Sequence, residues 1–274
     1  MIIDTHAHVN FNAFGGDAEK VIDRSLSENL WMINVGSQYQ TSKRAVELAE
    51  KYQEGVFAAV GMHPIHVGTE VFKLKLDPEE LAAEKEKEQE FDSEKYKSLA
   101  TSKKVVAIGE TGLDYYYRPK TKTRQEVFKQ KQRGVFFEHL KLAKELNLPL
   151  IFHCRMAHDE LIDIMEKNPG FRGVIHCFTG TLKQAESYIK MGFYIGLNGV
   201  IFKLDLDDAI RFIPLEKVLV ETDCPYLTPP EAGVQRNEPI FVKYVIKRIA
   251  ELKNMSQEEV AKITTENARK LFNV

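Results

Sequence analysis

Short apolar runs alternate along the chain with longer stretches of helical periodicity. Each run is rich in Val, Ile, Leu or Phe, and continuous runs of this kind are typical of parallel strands that are buried on both faces. Helical stretches such as 41–52 and 125–146 lie between them. The pattern therefore predicts eight strands, at 1–9, 30–37, 55–61, 104–110, 148–154, 173–178, 193–198 and 217–223.

Strand and helix repeated eight times indicate a (β/α)8 TIM barrel, with residues 1–274 as a single domain. An open doubly wound sheet is the alternative, but no G-x-G-x-x-G motif follows a strand. Helix starts with capping signals are predicted at 77–80 and 256–259. The stretch 79–97 is dense in Glu and Lys, which predicts a helix with a solvated face.

Charge and cysteine content narrow the classes of function. The formal net charge is −2, so a nucleic-acid ligand has to be held by a local basic patch. Three cysteines without Cys-x-x-Cys spacing favour a reducing compartment, which we expect to be the cytoplasm, with the nucleus left open. We recognise no signal peptide and no membrane-spanning apolar run. We expect a monomer without an obligate protein partner.

Polar residues interrupt the apolar runs where barrel enzymes place their sites, at the carboxyl ends of strands. His6 and His8 are two residues apart, so on a strand both imidazoles point to one face. Each residue by itself also fits a hydrogen-bonded core or capping role. Burying the whole set without a partner would be costly, and metal ions would remove that cost. The other members are Glu110, His153, His176 and Asp223.

Four imidazoles and two carboxylates suit Zn or Mn, and Mg where oxygen ligands dominate. Six ligands are too many for one tetrahedral ion with an open position, so we predict two divalent ions bridged by a carboxylate. Asp223 is the candidate general base. Cys154, Cys177 and Cys224 each follow a proposed ligand, and strand alternation predicts that they point toward the helices.

Several residues near these strand ends are candidates for substrate contacts. His63 ends the third run and should face the site. Arg155 and Arg236 could each hold a phosphate or pair with a nearby carboxylate. The segment 115–124 combines aromatic rings with basic side chains, which fits either a nucleic-acid contact or an ordinary polar loop. Its candidate contact residues are Tyr115, Lys120, Lys122 and Arg124.

The ordered motifs resemble the TatD family of metal-dependent deoxyribonucleases, over nearly the whole chain. They are IDTHAHVN, VGMHP, AIGETGLDYYY, LPLIFHCRMAHDE, GVIHCFTGT, ETDCPYLTP, RNEP and TTENARKLF. The resemblance implies that one ion binds His6, His8 and Asp223, and that a second binds His153 and His176. It also implies that Glu110 bridges the ions. The sequence departs from the family in a charged segment at 67–103 that is longer than expected.

The resemblance further implies hydrolysis of DNA phosphodiester bonds, often from the 3′ end. The alternative is another metal-dependent barrel hydrolase, acting on an amide, a lactone or an aminoacyl ester. Many such enzymes use a modified lysine as the metal bridge, whereas the bridging candidate here is Glu110. A metal-binding module without catalysis is a third class, which water-accessible strand ends disfavour.

Overall fold

The computed structural model describes residues 1–68 and 90–274, which form a single parallel sheet wrapped by helices. The sheet order follows the chain, so each strand pairs with its neighbours in sequence. The strands are β1 Ile2–Ala7, β2 Leu30–Val35, β3 Val56–Val60, β4 Val105–Asp114, β5 Leu150–Arg155, β6 Gly173–Ile175, β7 Tyr194–Leu197 and β8 Val218–Val220. The described helices are α1 Ala18–Ser27, α2 Tyr39–Glu50, α3 Ser93–Leu99, α4 Lys122–Leu146, α5 His158–Lys167, α6 Leu182–Lys190, α7 Asp207–Phe212, α8 Val242–Lys253 and α9 Gln257–Phe272.

The two edges of the sheet meet at its carboxyl end. The His8 N–H donates to the carbonyl of Cys224 at 2.9 Å, and the Asp223 N–H donates to the carbonyl of His6 at 2.8 Å. These hydrogen bonds join the end of β1 to the segment after β8. The nearly closed sheet and the helices around it confirm the predicted (β/α)8 barrel.

The strands bury both faces, as their continuous apolar runs predict. Alternate residues such as Met32 and Phe152 belong to the large core between the sheet and the helices. The intervening residues, including Ile33 and Ile151, form a second core inside the barrel, which the end of α9 closes with Phe272. Because side chains alternate along a strand, residues two positions beyond an interior one also face the barrel axis.

Two strand irregularities redirect side chains toward the barrel mouth. Between Asp4 and Ala7, β1 advances three residues while its neighbour β2 advances two, from Met32 to Asn34. A similar irregularity in β4 lies between Ile108 and Thr111, next to Glu110. An extra residue shifts the alternation of a strand, and such bulges re-aim side chains at functional sites. The irregularity in β1 explains how Ile3 faces the interior while His6 and His8 face the mouth.

Predicted boundaries differ from the structure at several strand ends. The fourth strand continues to Asp114, whereas β6 and β8 end before His176 and Asp223. The capping box at Ser256 is confirmed, since its side chain accepts from the Glu259 N–H. The predicted cap at 77–80 and most of the charged stretch 79–97 lie outside the described residues. Of the helices in the described ranges, none is long and apolar enough to cross a membrane.

Candidate metal centre

Six ionisable side chains converge at the carboxyl end of the barrel, around a cavity of about 350 Å³. They are the predicted ligands His6, His8, Glu110, His153, His176 and Asp223, and each lies in at least one cluster of potential ligand atoms. The alternation of side chains along the strands explains why three of them face the barrel interior. His153 follows Ile151 by two residues, His176 follows Val174, and Asp223 stands four residues after Leu219.

The closure of the barrel brings one group of ligand atoms together. The His8 Nε2 lies 3.1 Å from the His6 Nε2 and 3.3 Å from the Asp223 Oδ1. The His8 Nδ1 lies 2.8 Å from the carbonyl of Val35, which fixes the proton on Nδ1. The lone pair of the His8 Nε2 therefore faces the carboxylate and the second imidazole, as a metal ligand requires.

Glu110 lies between two groups of histidines. Its Oε2 is 3.4 Å from the His6 Nε2 and 4.0 Å from the His8 Nε2. Its Oε1 is 2.7 Å from the His153 Nδ1 and 3.6 Å from the His176 Nε2. Each carboxylate oxygen thus faces a different pair of imidazoles, which is the placement that a bridging ligand needs.

Two buried carboxylates orient the histidines on the second side. The His176 Nδ1 lies 2.8 Å from the Glu221 Oε1, within ion-pair distance, and the Nε2 on the other side of the ring faces Glu110 at 3.6 Å. The His153 Nε2 lies 3.2 Å from the Asp114 Oδ2, which leaves the His153 Nδ1 facing Glu110. Metal-binding histidines commonly have such carboxylate partners, which fix the tautomer and the ring orientation.

Sequence reasoning missed both of these carboxylates. Glu221 stands two residues before Asp223, so strand alternation already places both on the interior face. Asp114 had no comparable signal, because the predicted fourth strand ended at Glu110, four residues too early.

The electrostatics of the cluster favour a bound cation. Burial raises the pKa of Glu110, but the surrounding histidines outweigh it and hold that pKa well below its ordinary value. Burial lowers the pKa of His176, but the carboxylates of Glu221, Asp223 and Glu110 outweigh this and raise it to about 10, so without an ion this ring holds a proton that a bound cation would replace. The carboxylates therefore stay ionised and attract positive charge. The donor set and the orientation of its lone pairs fit divalent ions.

Comparison with known proteins identifies the family of this chain. The family model for TatD-related DNases matches residues 3–273 of the chain. The chain belongs to this family.

Relatives of this TatD-related protein match it along their whole lengths. It is 39% identical to a metal-dependent hydrolase of Bacillus subtilis, YabD, with 100% of both chains covered. It is 32% identical to a protein of Pantoea ananatis named 3′-5′ ssDNA/RNA exonuclease TatD, with 99% of both covered. The crystal structure of the Escherichia coli TatD homolog YjjV superposes with a TM-score of 0.80 at 31% identity, covering 100% of this chain and 98% of that one.

His63 lies at the centre of this TatD-related site, where the sequence predicts it. Its Nδ1 accepts from the Ile65 N–H at 2.9 Å, so in the neutral ring the proton is on Nε2. Burial lowers the pKa of His63 to about 4, which keeps the ring neutral at pH 7. The Nε2 is 3.2 Å from the Glu110 Oε1 and 3.0 Å from the His153 Nδ1, and therefore offers a hydrogen-bond donor inside the site.

The two candidate arginines differ in their positions. Arg155 lines the metal cavity, and its Nη2 donates to the Asp114 Oδ2 at 2.8 Å. Arg236 is paired with Asp17 at 2.7 Å and with Glu238 at 2.9 Å, and it does not line that cavity. Of the two interpretations of Arg236, the structure thus supports pairing with carboxylates.

The aromatic and basic segment is divided between the core and the surface. Tyr115 is 4% exposed, with the Lys129 Nζ 4.4 Å from its ring centre. Its ring is therefore largely covered and offers little surface for base stacking, although Tyr115 lines a cavity next to the metal centre. Lys120, Lys122 and Arg124 are exposed but do not line the metal cavity, and the last two belong to the first turn of α4.

The cysteines follow the predicted orientation with one exception. Cys154 and Cys224 are buried among the residues that pack against the helices, and Cys154 also lines the metal cavity. Cys177 has a φ of 45° in the turn after β6, and it lines the metal cavity. Its sulfur lies within 4.8 Å of ligand atoms of His176 and Asp223. The prediction for Cys177 was incomplete because its left-handed backbone breaks the alternation that His176 still follows.

Proposed function

We propose that this protein is a two-metal nuclease that hydrolyses DNA phosphodiester bonds and removes nucleotides from the 3′ end. The observation that carries the proposal is Glu110, whose two oxygens face separate pairs of histidines. Two relatives of 32% and 30% identity, from Pantoea ananatis and Salmonella typhimurium, are named 3′-5′ ssDNA/RNA exonuclease TatD. Their alignment with this chain supports the same substrate class here.

The residues that would hold the ions form two sets that share Glu110. His6, His8 and Asp223 would hold the first ion. His153 and His176 would hold the second, oriented by Asp114 and Glu221. Two divalent ions, when bound, stabilise negative charge on phosphoryl oxygens and favour the ionisation of a water molecule.

Other side chains of the site supply proton transfer and orientation. Burial raises the pKa of Asp223, but its histidine neighbours outweigh this and lower it, so the carboxylate can accept a proton from the attacking water. His63 presents a neutral Nε2–H to the centre of the site and is the candidate hydrogen-bond donor that stabilises charge on the leaving oxygen. Arg155, fixed by Asp114, is placed to contact a phosphate oxygen.

The test is digestion of 5′-labelled single-stranded DNA, double-stranded DNA and RNA with Mg²⁺, Mn²⁺ or Zn²⁺. We expect labelled products that shorten progressively from the 3′ end, and no products after chelation. A lactone, an amide and an aminoacyl ester are assayed in parallel. Turnover of one of these with no cleavage of any nucleic acid would contradict the proposal.

A further inference from the structure

A second cavity lies beside the metal centre at the carboxyl ends of β5 and β6. Its volume is about 620 Å³, against about 350 Å³ for the metal cavity. Arg155 and Thr179 line both cavities. A substrate that binds at the metals and extends past Arg155 therefore enters the second cavity.

Arg155 is held rigidly at the boundary between the cavities. Its Nε and Nη2 donate to the Asp114 Oδ2 at 3.0 and 2.8 Å, and the same oxygen lies 3.2 Å from the His153 Nε2. One carboxylate thus positions both a ligand of the metal centre and the guanidinium. The Arg155 side chain is 35% exposed, and the planar set of donors on its guanidinium matches a phosphate group.

The charges that line the second cavity do not favour binding of a second phosphate beyond Arg155. Lys129 and Arg155 face it together with Asp159 and Glu160, so positive and negative side chains balance. Lys129 is also neutralised locally, because its Nζ lies 3.9 Å from a carboxylate oxygen of Glu160. A cavity of this composition fits a neutral polar ring better than a second phosphate.

Tyr116 provides an aromatic surface at this cavity. Its ring is 56% exposed, and the Arg155 guanidinium lies 4.5 Å from the ring centre. The Tyr116 N–H donates to the Asp114 Oδ1 at 2.9 Å, and the Tyr117 ring packs edge-on at 4.9 Å, so the ring is anchored. Met156 adds a side chain that is 60% exposed. Anchored, exposed aromatic rings are the surfaces on which nucleobases stack.

We propose that the second cavity binds the base of a nucleotide that flanks the scissile phosphate, with Tyr116 as its stacking surface. Arg155 holds the phosphate where the cavities meet. Thr179 offers a hydroxyl to the edge of the base. The inference rests on the proposed nuclease function and adds to it the part of the protein that recognises the nucleotide.

The test combines a change in the protein with a change in the substrate. Single-stranded DNA is prepared intact, or abasic at either nucleotide that flanks the scissile phosphate, and kcat/KM is measured for wild type and Tyr116→Ala. With intact DNA, Tyr116→Ala should lower kcat/KM about 5- to 100-fold, as expected for the loss of one stacked base. One of the abasic DNAs should lower the wild-type value similarly, and Tyr116→Ala should cause no further loss on it.

Matched variants separate stacking from other effects. Tyr116→Trp keeps an aromatic surface and should keep kcat/KM near the wild-type value. Phe212→Ala removes a ring that is 44% exposed on α7 and should change nothing. Equal losses for Tyr116→Ala on intact and abasic DNA, or no loss on either, would overturn the assignment of the cavity. Absence of cleavage by the wild type would instead contradict the nuclease function, and this inference with it.

Discussion

At the scale of single residues, Asp223 occupies a position that constrains both its backbone and its charge. Its φ is 59°, in the left-handed region, and its N–H bonds the carbonyl of His6 across the barrel closure. Its Oδ1 lies 3.3 Å from the His8 Nε2. The carboxylate is thus fixed by the backbone and kept ionised by the imidazoles, which suits a ligand that also accepts a proton.

Asp223→Asn should lower kcat on single-stranded DNA by about 100-fold or more, the lower end of general-base effects. The fold should survive, because Asn has nearly the same shape and tolerates left-handed backbone. Circular dichroism checks the fold, and single-turnover assays with Mn²⁺ measure the rate. A folded variant with near-normal turnover would remove Asp223 from the mechanism.

Glu110→Ala should lower metal content together with activity, because the variant lacks the carboxylate that faces both histidine pairs. Elemental analysis after gel filtration measures the ions bound per chain. Cys154→Ser is the control, since this side chain is buried on the helix-facing side next to His153. Full metal content in Glu110→Ala, or metal loss in the Cys154 variant, would contradict the bridging assignment.

At the scale of elements, the start of α4 concentrates positive charge in an unfavourable place. Lys122 and Arg124 lie in its first turn, which has no acidic residue, and Lys120 lies just before the N-cap residue Thr121. Cations near a helix N-terminus oppose the helix dipole. These three basic side chains do not stabilise the helix, and they do not line the metal cavity. We expect them to form a surface that contacts the phosphate backbone of a long DNA substrate.

Changing Lys120, Lys122 and Arg124 together to Ser should raise KM for long DNA. It should also lower the slope of log affinity against log salt by about two, at about 0.7 to 0.9 per phosphate contact. The melting temperature should not fall, because the substitutions remove positive charges that interact unfavourably with the N-terminal end of the helix dipole. Hydrolysis of bis(p-nitrophenyl) phosphate is the control and should stay unchanged. An unaltered salt slope would make the segment an ordinary polar surface.

The middle of α4 contains a buried histidine whose neutral form is built into the core. The His139 Nε2 accepts from the Met62 N–H at 2.9 Å, and its Nδ1 lies 2.8 Å from the carbonyl of Val135. Burial lowers its pKa from 6.5 to about 4. These contacts give His139 a structural role.

The free energy of unfolding should decrease as the pH falls from 6.5 to 4, because His139 is held neutral in the native state. In this range the unfolded chain binds a proton that the native ring excludes, so the native state loses about 3 kcal/mol relative to the unfolded state. Urea unfolding of metal-free protein should therefore show a shallower pH dependence in His139→Gln. Lys141→Gln, on the same helix and 73% exposed at the changed side chain, is the control. Equal pH dependence in wild type and His139→Gln would refute this assignment.

At the scale of the whole molecule, the candidate ligands connect distant parts of the barrel. They come from β1, β4 and β5 and from the residues that follow β6 and β8. Bound ions would therefore hold together both edges of the nearly closed sheet and its middle. Ions that bind the native state alone also shift the folding equilibrium.

Chelation should abolish hydrolysis and lower the melting temperature, and added Mn²⁺ or Zn²⁺ should restore both. A free ion concentration of 100 times Kd stabilises the native state by about 2.7 kcal/mol per site. For a domain of this size that corresponds to roughly 5–10 °C, which calorimetry can measure. Full activity of rigorously metal-free protein would contradict the metal mechanism.

The sequence by itself determined the class of fold and the six ligand candidates. Apolar runs identify buried parallel strands because such strands exclude polar side chains, and ligands such as His153 and His176 stand out for that reason. Alternation also separates Cys154, which faces the helices, from His153, which faces the interior. These properties depend on the local period of the chain and on the cost of burying polar groups.

Tertiary structure decided what depends on register and on distant contacts. The irregularities in β1 and β4 re-aim side chains near the site, and one position in register reverses the face that a residue occupies. Asp114 meets His153 and Arg155 because β4 continues past Glu110 alongside β5. Burial of Tyr115 and exposure of Tyr116 depend on that same continuation. The pairing between strands determines these side-chain orientations and contacts. That pairing joins residues that are distant in sequence, so a local sequence pattern does not reveal it.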